Sequence, residues 1–314
     1  MKFYINILYV ILYGLAGCGV VYTQPLQYRG VMRGLSYNAL DSAYLRITYS
    51  LLYVSDSLKP NEVWKDRKIL LIGDSIQHFY SDYLRSNDSV ATAEWDRGKS
   101  TGGMNFSDQK VKYEGYDIYA YPVRGKRTVW EHISNLSLYR YWEDIEKPQW
   151  KLSADTCTIL SYACYKATAR FRGRDWIVWF TMDIPIDAGP WKLCGLPGLI
   201  MKASDSKSHY VFECIGVENM NRKKQPIIKI QGAHGLVECT RQEYLKAQRQ
   251  FHENYVNSLS AMGYNVNIID DSGNRIERIE TPNTKFSEQK ISWSLSIDAR
   301  DRNRKIPYNP IELE

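Results

Sequence analysis

The strongest constraint on this chain is that one β-type run follows another with almost no helical spacer between them. Arg46–Val54 reads RITYSLLYV, with Ile47, Tyr49, Leu51 and Tyr53 on one face, and Lys68–Ile72 (KILLI) reads as a buried-type strand. Tyr116–Tyr121, Arg127–Ile133 and Ser137–Asp144 read as short strands. Thr158–Phe171 and Asp175–Met182 read as longer ones joined by the tight turn Arg172-Gly173-Arg174. Leu196–Ala203 and His209–Gly216 form a further hairpin about Ser204–Ser208, and Pro226–Gln231 is a last strand. Such a succession predicts an antiparallel sheet and argues against a βαβ fold. The 24 tyrosines and 9 tryptophans suit strands and amphipathic surfaces. Ser86–Phe106, polar and carrying Gly98, Gly102 and Gly103, reads as a loop.

One helix stands out. Thr240-Arg241-Gln242-Glu243 is a capping box, Tyr244, Gln248, Phe251, Tyr255, Leu259 and Met262 recur at spacings of three and four, and Gly263 ends the pattern. The expected fold is therefore mainly β, of the α+β class: a curved antiparallel sheet or half-barrel with a C-terminal helix, 240–262, packed on it. Residues 1–23 are expected as a signal peptide, 24–263 as the β domain and 264–314 as a polar, loosely packed tail.

Residues 1–23 carry Lys2 and then an apolar run with no charge before Arg29, a secretory pattern. Cleavage before Gln24 competes with a lipobox-like Leu15-Ala16-Gly17-Cys18, which would leave Cys18 acylated. Either places the mature protein in the periplasm or at the outer membrane. Cys157, Cys164, Cys194, Cys214 and Cys239 remain after cleavage, so at most two disulfides form, and the spacing does not give the pairing. The 41 basic and 35 acidic side chains give a diffuse +6, which argues against a nucleic-acid partner. No metal or other cofactor is expected: His78, His132, His209, His234 and His252 show no ligand spacing.

Ile72-Gly73-Asp74-Ser75-Ile76 follows an apolar strand and resembles the nucleophile block of SGNH esterases, with Ser75 as nucleophile. The companion Gly-x-Asn-Asp and Asp-x-x-His blocks of that family are missing, and a Gly-Asp-Ser turn after a strand is common. Phe171–Ile200 is the most specific stretch. Pro185, Pro190 and Pro197 fix φ, Gly189, Gly195 and Gly198 open backbone positions closed to other residues, and Trp176, Trp179 and Trp191 supply amphipathic surface. It reads either as a binding loop or as a connector that plugs the end of a β-core.

Gly195-Leu196-Pro197-Gly198-Leu199-Ile200 is the hexapeptide of the GLPGLI family of exported Gram-negative proteins. Tyr162–Ala167, Phe171–Arg174, Trp179–Thr181, Ile184–Ile186, Gly189–Lys192, Leu71–Gly73 with Phe79–Ser81, and Asn309–Leu313 resemble further blocks of that family. The resemblance implies export, a lipoprotein-carrier-like sheet, an association with TonB-dependent outer-membrane transporters and no assigned biochemical activity. The expectation is a non-enzymatic envelope protein that binds an apolar ligand or peptide, or docks on such a transporter. The alternatives are a serine hydrolase using Ser75 and a structural or adhesion component. The candidate binding or motif residues are Arg172, Arg174, Trp179, Asp183, Pro185, Gly189, Pro190, Trp191, Gly195, Leu196, Pro197, Gly198, Leu199 and Ile200.

Overall fold

The computed structural model describes residues 36–86, 115–133, 137–220, 225–231, 236–261, 264–270, 272–280, 293–299 and 309–313. The signal segment, Cys18, His234 and most of the Ser86–Phe106 loop lie outside them. Twelve strands run along one sheet: β1 (Ser36–Val54), β2 (Val63–Gly73), β3 (Gln77–Ser81), β4 (Tyr116–Tyr121), β5 (Lys126–Ile133), β6 (Ser137–Asp144), β7 (Lys151–Ile159), β8 (Tyr162–Phe171), β9 (Arg174–Thr181), β10 (Leu199–Asp205), β11 (Tyr210–Asn219) and β13 (Leu236–Glu238). The order is β13-β6-β5-β4-β3-β2-β1-β11-β10-β9-β8-β7, and β12 (Gln225–Gln231) also pairs with β1.

The long β1 organises the sheet. One edge pairs with β2 on Ala43–Val54, and the other takes β12 on Ser36–Ala43 and β11 on Leu45–Tyr53. Between these halves the register shifts near Asp41, whose Oδ2 accepts the Ser75 and Ile76 N–H groups at 2.7 and 3.0 Å. Among the described residues every pairing within this sheet is antiparallel except β13 with β6, so the sheet is mixed.

Leu70 and Ile72 of β2 join Ile47, Tyr49 and Leu51 in the main core, whereas Ile69 and Leu71 join Tyr80, Tyr119 and Trp130 on the opposite face. In a flat sheet β6 and the β8–β9 turn, some nine strands apart at about 4.8 Å each, would be separated by roughly 40 Å. Yet Arg172 Nη2 of that turn lies 3.5 Å from Glu143 of β6. The sheet therefore curls until its two halves face each other across one core, without closing by strand pairing among the described residues.

The structure corrects several expectations. Thr158–Phe171 is not one strand: Leu160 and Ser161, both at positive φ (48° and 71°), turn β7 back onto β8. These are the dihedral signs of a two-residue hairpin turn, formed here without glycine or asparagine, so the usual turn signal is missing. The capping box is present, with Thr240 N–H donating to Glu243 and Glu243 N–H to Thr240 Oγ1. The helix breaks at Asn254, whose backbone (φ −135°, ψ 59°) leaves the helical region, giving α1 (Arg241–Glu253) and α2 (Tyr255–Ala261). The supposedly loose tail holds a second sheet, β15-β14-β16 (Arg275–Ile279, Tyr264–Ile269, Trp293–Asp298), whose Val266 and Ile268 enter the main core. Asn309 and Glu312 are buried as well.

Charged residues also occupy inward positions. Lys68 is fully buried; its Nζ lies 2.9 Å from Asp66 Oδ2 and 4.1 Å from the centre of the Tyr116 ring. Lys68→Met alone leaves a buried carboxylate without this counter-charge and is expected to lower the unfolding free energy by about 3–5 kcal/mol. Asp66→Leu/Lys68→Met together should recover most of it, as read by denaturant titration of both variants.

Candidate functional site

The Phe171–Ile200 stretch folds from the backbone upward. Arg172 and Gly173, at φ 50° and 75°, make the two-residue turn into β9. After Thr181 the chain leaves the sheet. Ile186 N–H bonds Ile184 O and Ala188 N–H bonds Ile186 O, two consecutive three-residue turns, the first centred on Pro185. Leu199 and Ile200 then bond back to Ile184 and Ala188, closing the segment on itself. A Cβ on Gly198 would stand 1.9 Å from the Thr181 carbonyl oxygen, so only glycine fits there. Gly198→Ala should destabilise the protein by more than about 3 kcal/mol and lower the thermal midpoint in differential scanning calorimetry.

The segment faces inward. Ile184, Ala188, Leu193, Leu196, Leu199 and Ile200 belong to the core, while Asp183, Pro185 and Pro197 are exposed and Trp179 is half-buried. Pro190 is buried beside Trp191, which adopts φ 55°, an unusual conformation for a bulky residue. Packing holds it: Trp176 and Phe171 lie 5.7 and 5.9 Å away, centroid to centroid. Here consecutive side chains, Trp191 and Lys192, are both buried. The cysteine in front of the hexapeptide is tied in too, since Trp150 Nε1–H donates to Cys194 O at 2.8 Å. Asp187 accepts the Gly195 N–H and pairs with Lys147 at 2.8 Å.

Lys192 opens onto the most unusual chemistry in the molecule. Its Nζ lies 2.9 Å from Glu143 Oε1, donates to Tyr141 Oη at 3.1 Å and pairs with Glu312. Arg172, Arg127 and Arg241 approach the same Glu143 carboxylate at 3.5, 3.7 and 3.8 Å, and Arg241 makes two bonds to Glu312 Oε2, at 2.9 and 2.7 Å. Tyr141 passes the chain on by donating to Glu131 at 3.2 Å. Arg174 performs a parallel task, donating to Asp205, Asn309, Pro310 O and Ile311 O. Of the residues singled out from the sequence, the structure brings Arg172 and Trp191 to this cluster and makes Arg174 the anchor of the 309–313 strap.

Two cavities flank the cluster. One, of about 300 Å³, lies under the Pro/Gly segment; Leu70, Phe79, Ile118 and Trp191 form apolar walls, and Lys147 and Asp187 also line it. The other, of about 210 Å³, lies between sheet and α1 and is lined by Glu131, Tyr116, Tyr210, Tyr244, His252 and Glu312. Burial, opposed by Lys192 and reinforced by Glu312, raises the Glu131 carboxyl to about 7. The folded chain thus holds a proton that the unfolded chain has released, and stability falls as pH rises from about 4.5 to about 7. Glu131→Gln should lie close to the wild type near pH 5 and exceed it by about 2–3 kcal/mol at pH 8, as measured by urea titration at both values.

Sequence reasoning missed Arg127, Glu131, Tyr141, Glu143, Lys192, Arg241 and Glu312 as one site. A signal existed: Arg127 and Glu131 share strand parity with Val129 and Ile133, so they had to point into the core. The Gly-Asp-Ser block forms the turn that Asp41 holds, with Ser75 exposed. His78 is buried, stacked 4.0 Å from Tyr119 and 4.7 Å from Tyr80, with Nε2 3.8 Å from Asp117, and burial pushes it down to about 4. Among the described residues no group of three or more His, Cys, Asp or Glu could hold a metal ion, and no helix is long and apolar enough to cross a membrane.

Nothing among curated proteins matches the chain. Two solved structures of PNGF-II, in the P21 and C2 space groups, are similar at 16% and 15% identity, each with a TM-score of 0.44. They match over 66% and 64% of this chain and 32% of theirs, so the chain spans about a third of their length, and nothing about activity transfers at that likeness. Residues 172–202 match the model of a family described as a protein of unknown function, Porph_ging; that span takes in the β8–β9 turn, β9, the Pro/Gly segment and the start of β10.

Proposed function

We propose that this chain is a GLPGLI-type, non-enzymatic protein of the cell envelope that binds an apolar ligand or the apolar side chains of a peptide. The observation that carries the reading is the cavity of about 300 Å³ under the Pro/Gly segment. It sits at the lower end of the range for small-molecule sites and has their composition, apolar walls with a few polar groups. The segment that roofs it is self-bonded and includes a glycine that no other residue can replace, so the site is preformed. Exchange with a TonB-dependent transporter is the partner role that fits an exported carrier.

Native mass spectrometry of the protein purified from its own host envelope tests this, followed by titration of the emptied protein with a long-chain fatty-acid fluorophore. Ala120 lines the cavity, and Ala120→Phe fills it. The expected result is a co-purifying apolar mass released on denaturation, and probe affinity at least about tenfold weaker in the variant with an unchanged circular dichroism spectrum. An empty native mass together with no probe binding overturns the proposal.

A further inference from the structure

Cys157 and Cys164 stand directly opposite each other across the β7–β8 hairpin. Directly opposed residues of an antiparallel pair share a face, with Cα atoms about 4.5 or 5.5 Å apart depending on the pair class. Both values fall inside the disulfide window of about 4.4–6.8 Å. Cys164 Sγ–H donates to Tyr162 O of the same hairpin at 3.5 Å, which keeps the thiol beside β7. Cys164 is buried and Cys157 is half-exposed. The other three thiols have different surroundings: Cys214 Sγ turns to Gly216 O, Cys239 Sγ to Arg140 O, and Cys194 Sγ to Glu146 O. Along the sheet, β10 and β9 stand between Cys214 on β11 and β8, whereas Cys157 is on the strand next to Cys164.

We propose that Cys157 and Cys164 are a built-in oxidation site that closes to a cross-strand disulfide. The oxidant is a disulfide-bearing compound or protein. The accessible Cys157 thiolate attacks a sulfur of the oxidant, forming a mixed disulfide and releasing one oxidant thiolate. Cys164, deprotonated, then attacks Cys157 Sγ and expels the second. Two protons leave the pair, and its two electrons reduce the oxidant to two thiols.

The location gives the bond a purpose. β7 is the edge strand of the sheet and is exposed along most of its length. Its register against β8 already slips between Leu152 and Thr156, and its turn rests on two non-glycine residues at positive φ. A covalent tie beside that turn fixes the register of the strand with least cover. The proposal is independent of the ligand-binding reading.

The test is equilibration of the reduced, full-length protein with oxidised glutathione, blocking of remaining thiols with N-ethylmaleimide, and intact-mass and peptide analysis. The expected result is loss of about 2 Da in the unblocked protein, a peptide linking Cys157 to Cys164, and blocked thiols at Cys194, Cys214 and Cys239. Oxidation should raise the thermal midpoint by several degrees, and Cys157→Ser should abolish that rise while Cys214→Ser retains it. Full blocking of both thiols after oxidation, or a link from Cys164 to Cys214, overturns the proposal. The wild-type peptide map decides the question even if a variant folds poorly.

Discussion

The carboxylate of Glu143 is the point on which the two halves of this sheet converge. It is the last inward-pointing residue of β6, and Lys192, Arg172, Arg127 and Arg241 converge on it from the Pro/Gly segment, the β8–β9 turn, the neighbouring strand and the helix. A sheet of this width has to cover one face of itself. Here the curl brings two distant stretches together, and a buried charge cluster, not a ladder of hydrogen bonds, bridges them. Such a cluster adds little to stability relative to apolar packing, but removing one member is severe, because the remaining charges stay buried. The device therefore specifies geometry: it fixes where the two halves of the sheet meet.

The Pro/Gly segment is part of the same device. Its backbone closes on itself through Ile184 and Ala188, which leaves its side chains free to fill the core and places Lys192 beside Glu143. The conformation of Trp191 is costly in isolation and is held by Phe171 and Trp176. Both cavities border this arrangement, so their walls are set by the residues that hold the sheet in its curl. A ligand in the larger cavity would contact a rigid roof, and a change of protonation at Glu131 would be felt through Tyr141 at Lys192.

Much of the sheet was legible. The alternation in Arg46–Val54, the apolar run of β2 and the turn at Arg172-Gly173 each state their structure locally. The capping box at Thr240 does so as well. What could not be read depends on contacts distant in sequence. Leu160 and Ser161 carry no turn signature, so one strand was expected where two stand. Val266 and Ile268 alternate cleanly but were lost in polar surroundings. Glu312 lies 120 residues from Lys192 and 71 from Arg241, and no local pattern announces that a charged tail residue will be buried. The candidate site fared in the same way: its glycines and prolines were visible as a rigid segment, whereas the charged residues it organises came from six separate stretches of chain.

The strap formed by Asn309–Leu313 has a consequence for the order of assembly. Arg174 directs its guanidinium at four acceptors, and three of them belong to this strap. A chain emerging from its N-terminus makes every strand of the large sheet before it makes those acceptors. Until they arrive, Arg174 must remain hydrated or poorly matched, and the end of the sheet where β9 begins stays unsealed. Completion of the core around Arg174 thus waits for a segment that follows every strand of the large sheet along the chain.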